Sequence, residues 1–365
     1  TSLLRNATQN AAEAAATLVP QLAAAEREHD REGAFAASNL ELLIDAGFLR
    51  LNAPREFAGF GESLGGAIEA LRILAQGSPS AALMLAQHVN VLAHYLIDPA
   101  HVPAEQRAAY AEQRDWAFSE AANGKVFGVA NSEPGAAGNV KNSRAEVREG
   151  RLHGVKSFCS MGTRADYFMA AARAGSGKVE YWLVENDRRN VSVASPWDAI
   201  GMRSSESVSL RFDGAPALRP LGYEGLIDGV NNRHWSTLSF TAIFIGIAES
   251  LLEDVAKPGG GILQATGAVD LHLTLQASRS MLRHCAAVEP HPTTGPYRNL
   301  VRDTKLFVTR SLAQQASALY LAQGGSAYRF DAPFSRKLRD LLAGPALRPP
   351  VGVSFDELWA EISAE

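Results

Sequence analysis

The stretch from Val126 to Phe212 constrains the fold of this chain most. It is the only part that reads as continuous β structure, and long helical patterns lie on both sides of it. Arg144-Ala145-Glu146-Val147-Arg148 alternates, Glu149-Gly150 turns, and Arg151-Leu152-His153-Gly154-Val155-Lys156 returns. That is a hairpin by period and by turn chemistry. Tyr167–Ala172 is an apolar strand, Gly175-Ser176-Gly177 turns into a strand over Val179–Val184, and Val191–Val193 is a further short one. Val208, Leu210 and Phe212 alternate to close the sheet before a turn at Asp213-Gly214. Strands gathered in the middle with helices on either side predict an α+β chain.

The flanks carry apolar residues at helical spacing. Leu3, Leu4, Ala7, Ala11, Ala15, Leu18 and Leu22 place one amphipathic helix over 2–30, and Leu40, Leu43 and Ile44 a second that stops at Gly47. Helices follow over 64–77, 79–96 and 104–122, and Ser78-Pro79 supplies a cap and a first-turn proline. After the sheet come Trp235–Val255, Leu271–Val288, Leu300–Ala322 and Phe334–Leu342. Lys257-Pro258-Gly259-Gly260-Gly261 breaks the first pair, without the spacing of a phosphate-binding fingerprint. A last helix over Ser354–Ile362 has Ser354 as N-cap and Glu357 three residues on, the pattern of a capping box.

Two motifs inside the sheet carry chemistry. In Val129-Ala130-Asn131-Ser132-Glu133-Pro134-Gly135 a strand runs into a stop, since Pro134 fixes one φ and Gly135 permits a positive one. The hydroxyl of Ser132 sits just before that stop. In Gly154-Val155-Lys156-Ser157-Phe158-Cys159-Ser160-Met161-Gly162, Phe158 and Ser160 are two apart and so share a strand face. A flat aromatic beside a hydroxyl suits a flat heteroaromatic ring: one packs on its face, the other bonds its edge. Taken singly, each motif is equally a turn cap and a core aromatic.

Together these motifs resemble the acyl-CoA dehydrogenase family, whose corresponding segments read Thr-Glu-Pro-Gly and Trp-Ile-Thr/Ser-Asn-Gly. Further phrases agree: Pro54-Arg55-Glu56-Phe57-Ala58-Gly59, Ile200-Gly201-Met202-Arg203-Ser204-Ser205, Gly324-Gly325-Ser326-Ala327-Tyr328 and Arg339-Asp340. The resemblance implies an N-terminal helical domain over 1–123, a middle β barrel over 124–222 and a C-terminal four-helix bundle over 223–365. It implies FAD as cofactor. Ser132, with Asn131 beside it, would hold the pyrimidine edge, Phe158 the ring face and Ser160 the N5 side. Gly324 and Gly325 would meet the FAD of a neighbouring subunit, which makes a homodimer or homotetramer the expected assembly.

The pattern departs from the family where the reaction happens. The family's carboxylate base falls near Arg348 or near His234 in this chain, and neither is a carboxylate. Glu224 and Asp228 are upstream, in a loop. His88 lies on a helix that the resemblance brings to the substrate cavity, although a histidine in so apolar a run (Ala81 to Leu96) is more often a hydrogen-bonded core residue. His88 and His94 are six residues, about 600°, apart, so they are not a metal pair. The candidate catalytic residues are therefore His88, His234 and Arg348. The Arg-x-x-Phe-Gly segment that grips the FAD pyrophosphate is also replaced, leaving Lys257, Arg279 or Arg283 for that task.

Three activities fit. The first is FAD-dependent hydride transfer to flavin N5 from a CH–CH donor such as an acyl-CoA, with an electron-transfer flavoprotein as partner. The second is a flavin monooxygenase that takes reduced flavin from a reductase. The third is a non-catalytic relative with weakened FAD binding. The resemblance as a whole points to the first. A net charge of −4 argues against nucleic acid as a main partner. The N-terminal stretch lacks a basic region followed by an apolar run, no stretch reads as a bilayer span, and two cysteines without ligand spacing suit a reducing compartment, so a cytoplasmic protein is expected.

Overall fold

The computed structural model describes residues 10–136, 139–256, 261–347 and 349–363. Helices α1 (Ala11–Glu32), α2 (Ala37–Asp45), α3 (Leu64–Gly77), α4 (Pro79–Ala93) and α5 (Arg107–Ala122) come first. Strands β1 (Phe127–Val129), β2 (Glu146–Arg148), β3 (Arg151–Cys159), β4 (Tyr167–Arg173), β5 (Val179–Glu185), β6 (Val191–Ser195) and β7 (Val208–Pro220) follow. Helices α6 (Arg233–Val255), α7 (Ile262–Ala287), α8 (Gly295–Tyr320), α9 (Pro333–Leu342) and α10 (Val351–Ile362) complete the chain. The ends are set by local chemistry. Ser63, Ser78 and Thr294 each accept a hydrogen bond from a first-turn backbone N–H, and Gly33, at φ 64°, closes α1.

The sheet curls into a barrel. β3 pairs antiparallel with β2 and β7, β7 with β5 and β6, and β5 with β4. A bridge from Glu146 to Arg173 joins β2 to β4 and closes the ring, while β1 adds to β4 in parallel. Phe168 and Phe212 meet edge-on inside it, with centroids 6.0 Å apart.

A single hydrophobic core runs from α1, α3 and α4 through α6 into α7, α8 and α9. The helices before and after the barrel are thus one packed body. α6 is its axis. By length and composition α6 could cross a membrane, contrary to the sequence reading, but 83% of its most apolar window is buried against the rest of the chain. A helix apolar all round and covered on all sides is a core helix. At Gly246 it comes so close to α3 that a Cβ there would lie 2.1 Å from the Arg72 carbonyl oxygen. A second cluster (Tyr95, Tyr110, Phe118, Phe127) ties α4 and α5 to the barrel.

Several expectations change. β7 does not turn at Asp213-Gly214. It runs on to Pro220 with a register shift opposite Leu152/His153, because β3 and β5 both pair with that stretch. α7 starts at Ile262, not Leu271. α10 starts at Val351 behind Pro350, so Ser354 lies inside the helix, buried, with an unpartnered hydroxyl, and no capping box forms. The start of the N-terminal helix (Leu3, Leu4, Ala7) and the break at Lys257-Pro258-Gly259-Gly260 lie outside the described residues.

The α3–α6 approach gives a direct test. Gly246→Ala forces the two helices apart and is expected to cost about 1–3 kcal/mol, read as a lower denaturation midpoint with an unchanged slope.

Candidate active-site cleft

A cleft of about 610 Å³ opens between the barrel, α4, α6 and the segment after α9. From the barrel it is lined by Asn131, Ser132, Phe158, Ser160 and Trp197. α4 contributes Leu83, Gln87, Asn90 and His94, spaced 4, 3 and 4 apart, which is one face of a helix. Around the start of α6, Asn232, Arg233, Ser236 and Thr237 face the same space, and Leu347 and Pro349 close it from the C-terminal side.

The two sheet motifs meet here. The Ser157 N–H donates to the Ser132 carbonyl at 2.9 Å, so the motifs pair through their backbones. A buried ion pair fastens them again: Lys156 Nζ donates to Glu133 Oε1 at 2.5 Å and to Ser143 Oγ at 3.0 Å. Burial alone would raise the Glu133 pKa. Hydrogen bonds from Lys156 and Ser143 outweigh it and hold the group ionised below its usual range. The Asn131 Oδ1 accepts from the Ala171 N–H at 2.8 Å.

Phe158 and Ser160 do line one wall, but not through strand alternation. Phe158 has a positive φ of 57° and sits in a register shift between Lys156 and Cys159. That bulge turns its ring outward, 61% exposed, with Trp197 edge-on at 6.2 Å. Ser160, just past the strand, is buried. Its Oγ is 2.8 Å from Ser207 Oγ, which is 2.7 Å from Ser205 Oγ, which donates to the Met202 carbonyl at 2.8 Å. Each hydroxyl has one proton. All three bonds form only if Ser160 donates to Ser207 and Ser207 to Ser205. Ser160 then offers the cleft lone pairs, not a proton.

Two of the sequence-predicted catalytic residues, His88 and His234, are not in this cleft. His88 is fully buried behind it: its Nε2–H donates to the Leu49 carbonyl at 2.7 Å and its Nδ1 accepts from the Phe127 N–H at 3.0 Å. It bolts α4 to the barrel, and burial lowers its pKa to about 4. His234 turns to the other side of α6 and bonds Glu289. Arg348 lies outside the described residues, between the lining residues Leu347 and Pro349. Glu224 and Asp228 do not line the cleft, and Asp228 pairs with Lys141. Gly324 and Gly325 stand on an exposed turn away from it. Arg279 pairs with Glu249, and Arg283 lines a separate cavity of about 300 Å³. Sequence reasoning missed Gln87, Asn90 and His94. Their 3-4 spacing as the polar stripe of an apolar helix was the available signal. The His94 Nδ1 accepts from the Asn232 N–H at 3.4 Å, leaving Nε2–H as a donor, and burial lowers its pKa to about 3.

Comparison with known proteins fits this architecture. Residues 6–113 match the N-terminal domain, and residues 128–215 the middle domain, of acyl-CoA dehydrogenases. The chain belongs to the acyl-CoA dehydrogenase superfamily, and it is by class a flavin oxidoreductase. The amino sugar nitrososynthase DnmZ of Streptomyces peucetius is 25% identical over 91% of this chain and 87% of its own. The putative acyl-CoA dehydrogenase YdbM of Bacillus subtilis is 23% identical over 92% and 91%. The FMN-bound structure of TdsC from Paenibacillus sp. A11-2, a dibenzothiophene monooxygenase, shares the fold with a TM-score of 0.80 at 24% identity, covering 95% of both chains. The residues present fit a flavin ring: an exposed flat aromatic, an acceptor hydroxyl from Ser160, and Asn131 and Ser132 at the far edge.

One wall of the cleft is held from behind by a buried acid. The Met202 N–H donates to Asp340 Oδ1 at 2.7 Å, and Gly201 packs so tightly on Arg339 that a Cβ would lie 2.3 Å from its carbonyl. Burial raises the Asp340 pKa to about 7, with Arg336 opposing and Glu26 adding. The folded state thus keeps a proton that the unfolded chain releases above 3.8, so this group's contribution falls as pH rises from 3.8 to about 7. Asp340→Asn keeps the acceptor and cannot ionise. Calorimetry is expected to show a flatter dependence of Tm on pH over that window and a variant melting a few degrees above the parent at pH 8.

Proposed function

We propose that this protein is a flavin-dependent monooxygenase that receives reduced flavin from a partner reductase. The observation that carries this reading is an inner wall without a carboxylate among the described residues, with the exposed Arg233 as the cation that faces the space. Among the described residues one carboxylate, Glu357, lines the cleft. That side chain is 58% exposed at the rim, 3.8 Å from Arg302. A dehydrogenase needs a carboxylate poised over the α-carbon, with a pKa matched to the acidified proton. His94, a buried group on the inner wall that could accept a proton, is held neutral and far too weakly basic for a carbon acid. This ranks the monooxygenase above the hydride-transfer reading, which the sequence resemblance alone favours.

The hydroxyl relay supports the same choice. Ser160 would meet the N5 edge of the ring as an acceptor, which suits the reduced ring, whose N5 carries a hydrogen. Phe158 would pack on the ring face, and the apolar residues around the cleft would keep water from it. When bound in its reduced form, the flavin supplies two electrons to dioxygen, so that one oxygen atom passes to substrate and the other leaves as water. The reading requires the isoalloxazine ring, common to FAD and FMN. The nitrososynthase and monooxygenase relatives are of the same general kind.

Anaerobic titration with dithionite-reduced and with oxidised FMN and FAD tests it. The reduced forms are expected to bind more tightly. Ser207→Ala breaks the relay, frees the Ser160 hydroxyl to rotate, and is expected to shrink the reduced-over-oxidised preference about fivefold, the equivalent of about 1 kcal/mol. Bleaching of bound oxidised flavin by butyryl-CoA or octanoyl-CoA would overturn the reading.

A further inference from the structure

The polar stripe on α4 points to a substrate class. Asn90 lies in the middle of that stripe, lines the cleft and is 3% exposed. Neither its Oδ1 nor its Nδ2 has a hydrogen-bond partner among the described residues. An amide buried in this way forgoes both a donor and an acceptor bond, which costs on the order of 1–3 kcal/mol per group. Such a group persists where something else supplies the bonds. Four residues along, the His94 imidazole presents Nε2–H, because its Nδ1 is already occupied by the Asn232 N–H. Three residues back, Gln87 faces the same space, and Ser236 and Thr237 bring hydroxyls from α6. These groups are uncharged. A long acyl chain or a fused aromatic ring would leave every one of them unpaired.

We infer that Asn90, flanked by Gln87 and His94, is the specificity-determining residue of the substrate subsite, and that the substrate carries adjacent uncharged donor and acceptor groups, as in a vicinal diol or a polyhydroxylated ring. An asparagine amide matches such a pair in two-point fashion: Oδ1 accepts from one hydroxyl while Nδ2 donates to its neighbour. The inference rests on the monooxygenase reading for what happens to the bound molecule, but not for the binding itself.

Saturation-transfer NMR on the full chain tests the binding without flavin. The probes are N-acetylglucosamine and trans-1,2-cyclohexanediol, with benzothiophene as the apolar control, on the parent and on Asn90→Leu. The polar probes are expected to bind the parent and to lose about tenfold in affinity in the variant, a loss of the size of one or two hydrogen bonds. Benzothiophene is expected to bind the variant at least as well. Because the substitution replaces an unpaired amide with an apolar group of similar shape, the ligand-free variant is expected to melt at or above the parent temperature. A variant that melts several degrees lower with unchanged probe affinities would make Asn90 a structural residue and overturn the inference, as would a parent that binds benzothiophene alone. Bleaching by an acyl-CoA would instead sink the monooxygenase reading and leave the probe result standing.

Discussion

The ion pair between Lys156 and Glu133 is the interaction on which the cofactor wall depends. Lys156 is fully buried in β3 and Glu133 almost so, and the carboxylate also accepts from the Arg144 N–H at 2.8 Å and the Ala145 N–H at 3.1 Å. Taking two charges out of water is expensive, and mutual attraction offsets it only when the remaining hydrogen-bond capacity is filled. Here it is filled on both sides. The consequence is positional. The loop bearing Asn131 and Ser132 and the strand end bearing Phe158 and Ser160 are held in one register. Loss of either partner would leave a bare charge in the barrel wall and release both cleft-lining segments together.

Three distant parts of the chain build the rest of the cleft, and each is held by a buried polar contact. His88 joins α4 to β1 through the Phe127 N–H and to the segment after α2 through the Leu49 carbonyl. Asp340, after α8, fixes the Gly201-Met202 wall that precedes β7. Lys305 on α8 donates to the carbonyls of Leu347 and Pro349 at 2.8 and 2.7 Å, and so seats the C-terminal segment over the cleft. None of these groups faces a ligand. They act by setting where the lining residues stand, which is why His88, Asp340 and Lys305 are structural while Asn90, Gln87, Ser160 and His94 line the cleft.

That inversion bears on the chemistry. An inner wall without a carboxylate among the described residues offers no strong base for a carbon acid, but its hydrogen-bonding groups can orient an uncharged polar molecule. The serine relay illustrates how. No residue in it is charged, yet the chain of donors ending on the Met202 carbonyl fixes the polarity of Ser160. Superfamily membership therefore sets the scaffold and the flavin class, while the proposed reaction rests on what lines the cleft in place of a carboxylate.

Much of the fold was legible in the sequence because its signals are local. A two-residue period against a 3.6-residue period separates the barrel from the helices, and contiguous motifs place Ser132, Phe158 and Ser160 at one cleft wall. Where local signals compete with pairing, pairing wins: Asp213-Gly214 has turn chemistry, but pairing with β3 on either side of Gly214 carries the strand through it. The capping pattern at Ser354 likewise yields to Pro350, which starts the helix earlier. The residues of the reactive cleft were less legible. His88 and Asn90 are two positions apart on one helix, about 200° of rotation, and the stripe of Gln87, Asn90 and His94 is the one sequence signal for the side that faces the cavity. The sequence by itself determined the superfamily, the order of elements and the cleft-lining sheet motifs, since these depend on neighbours along the chain. Only the tertiary structure decided which face of α4 and α6 meets the cleft, because that depends on how α1, α3 and the barrel cover the other faces.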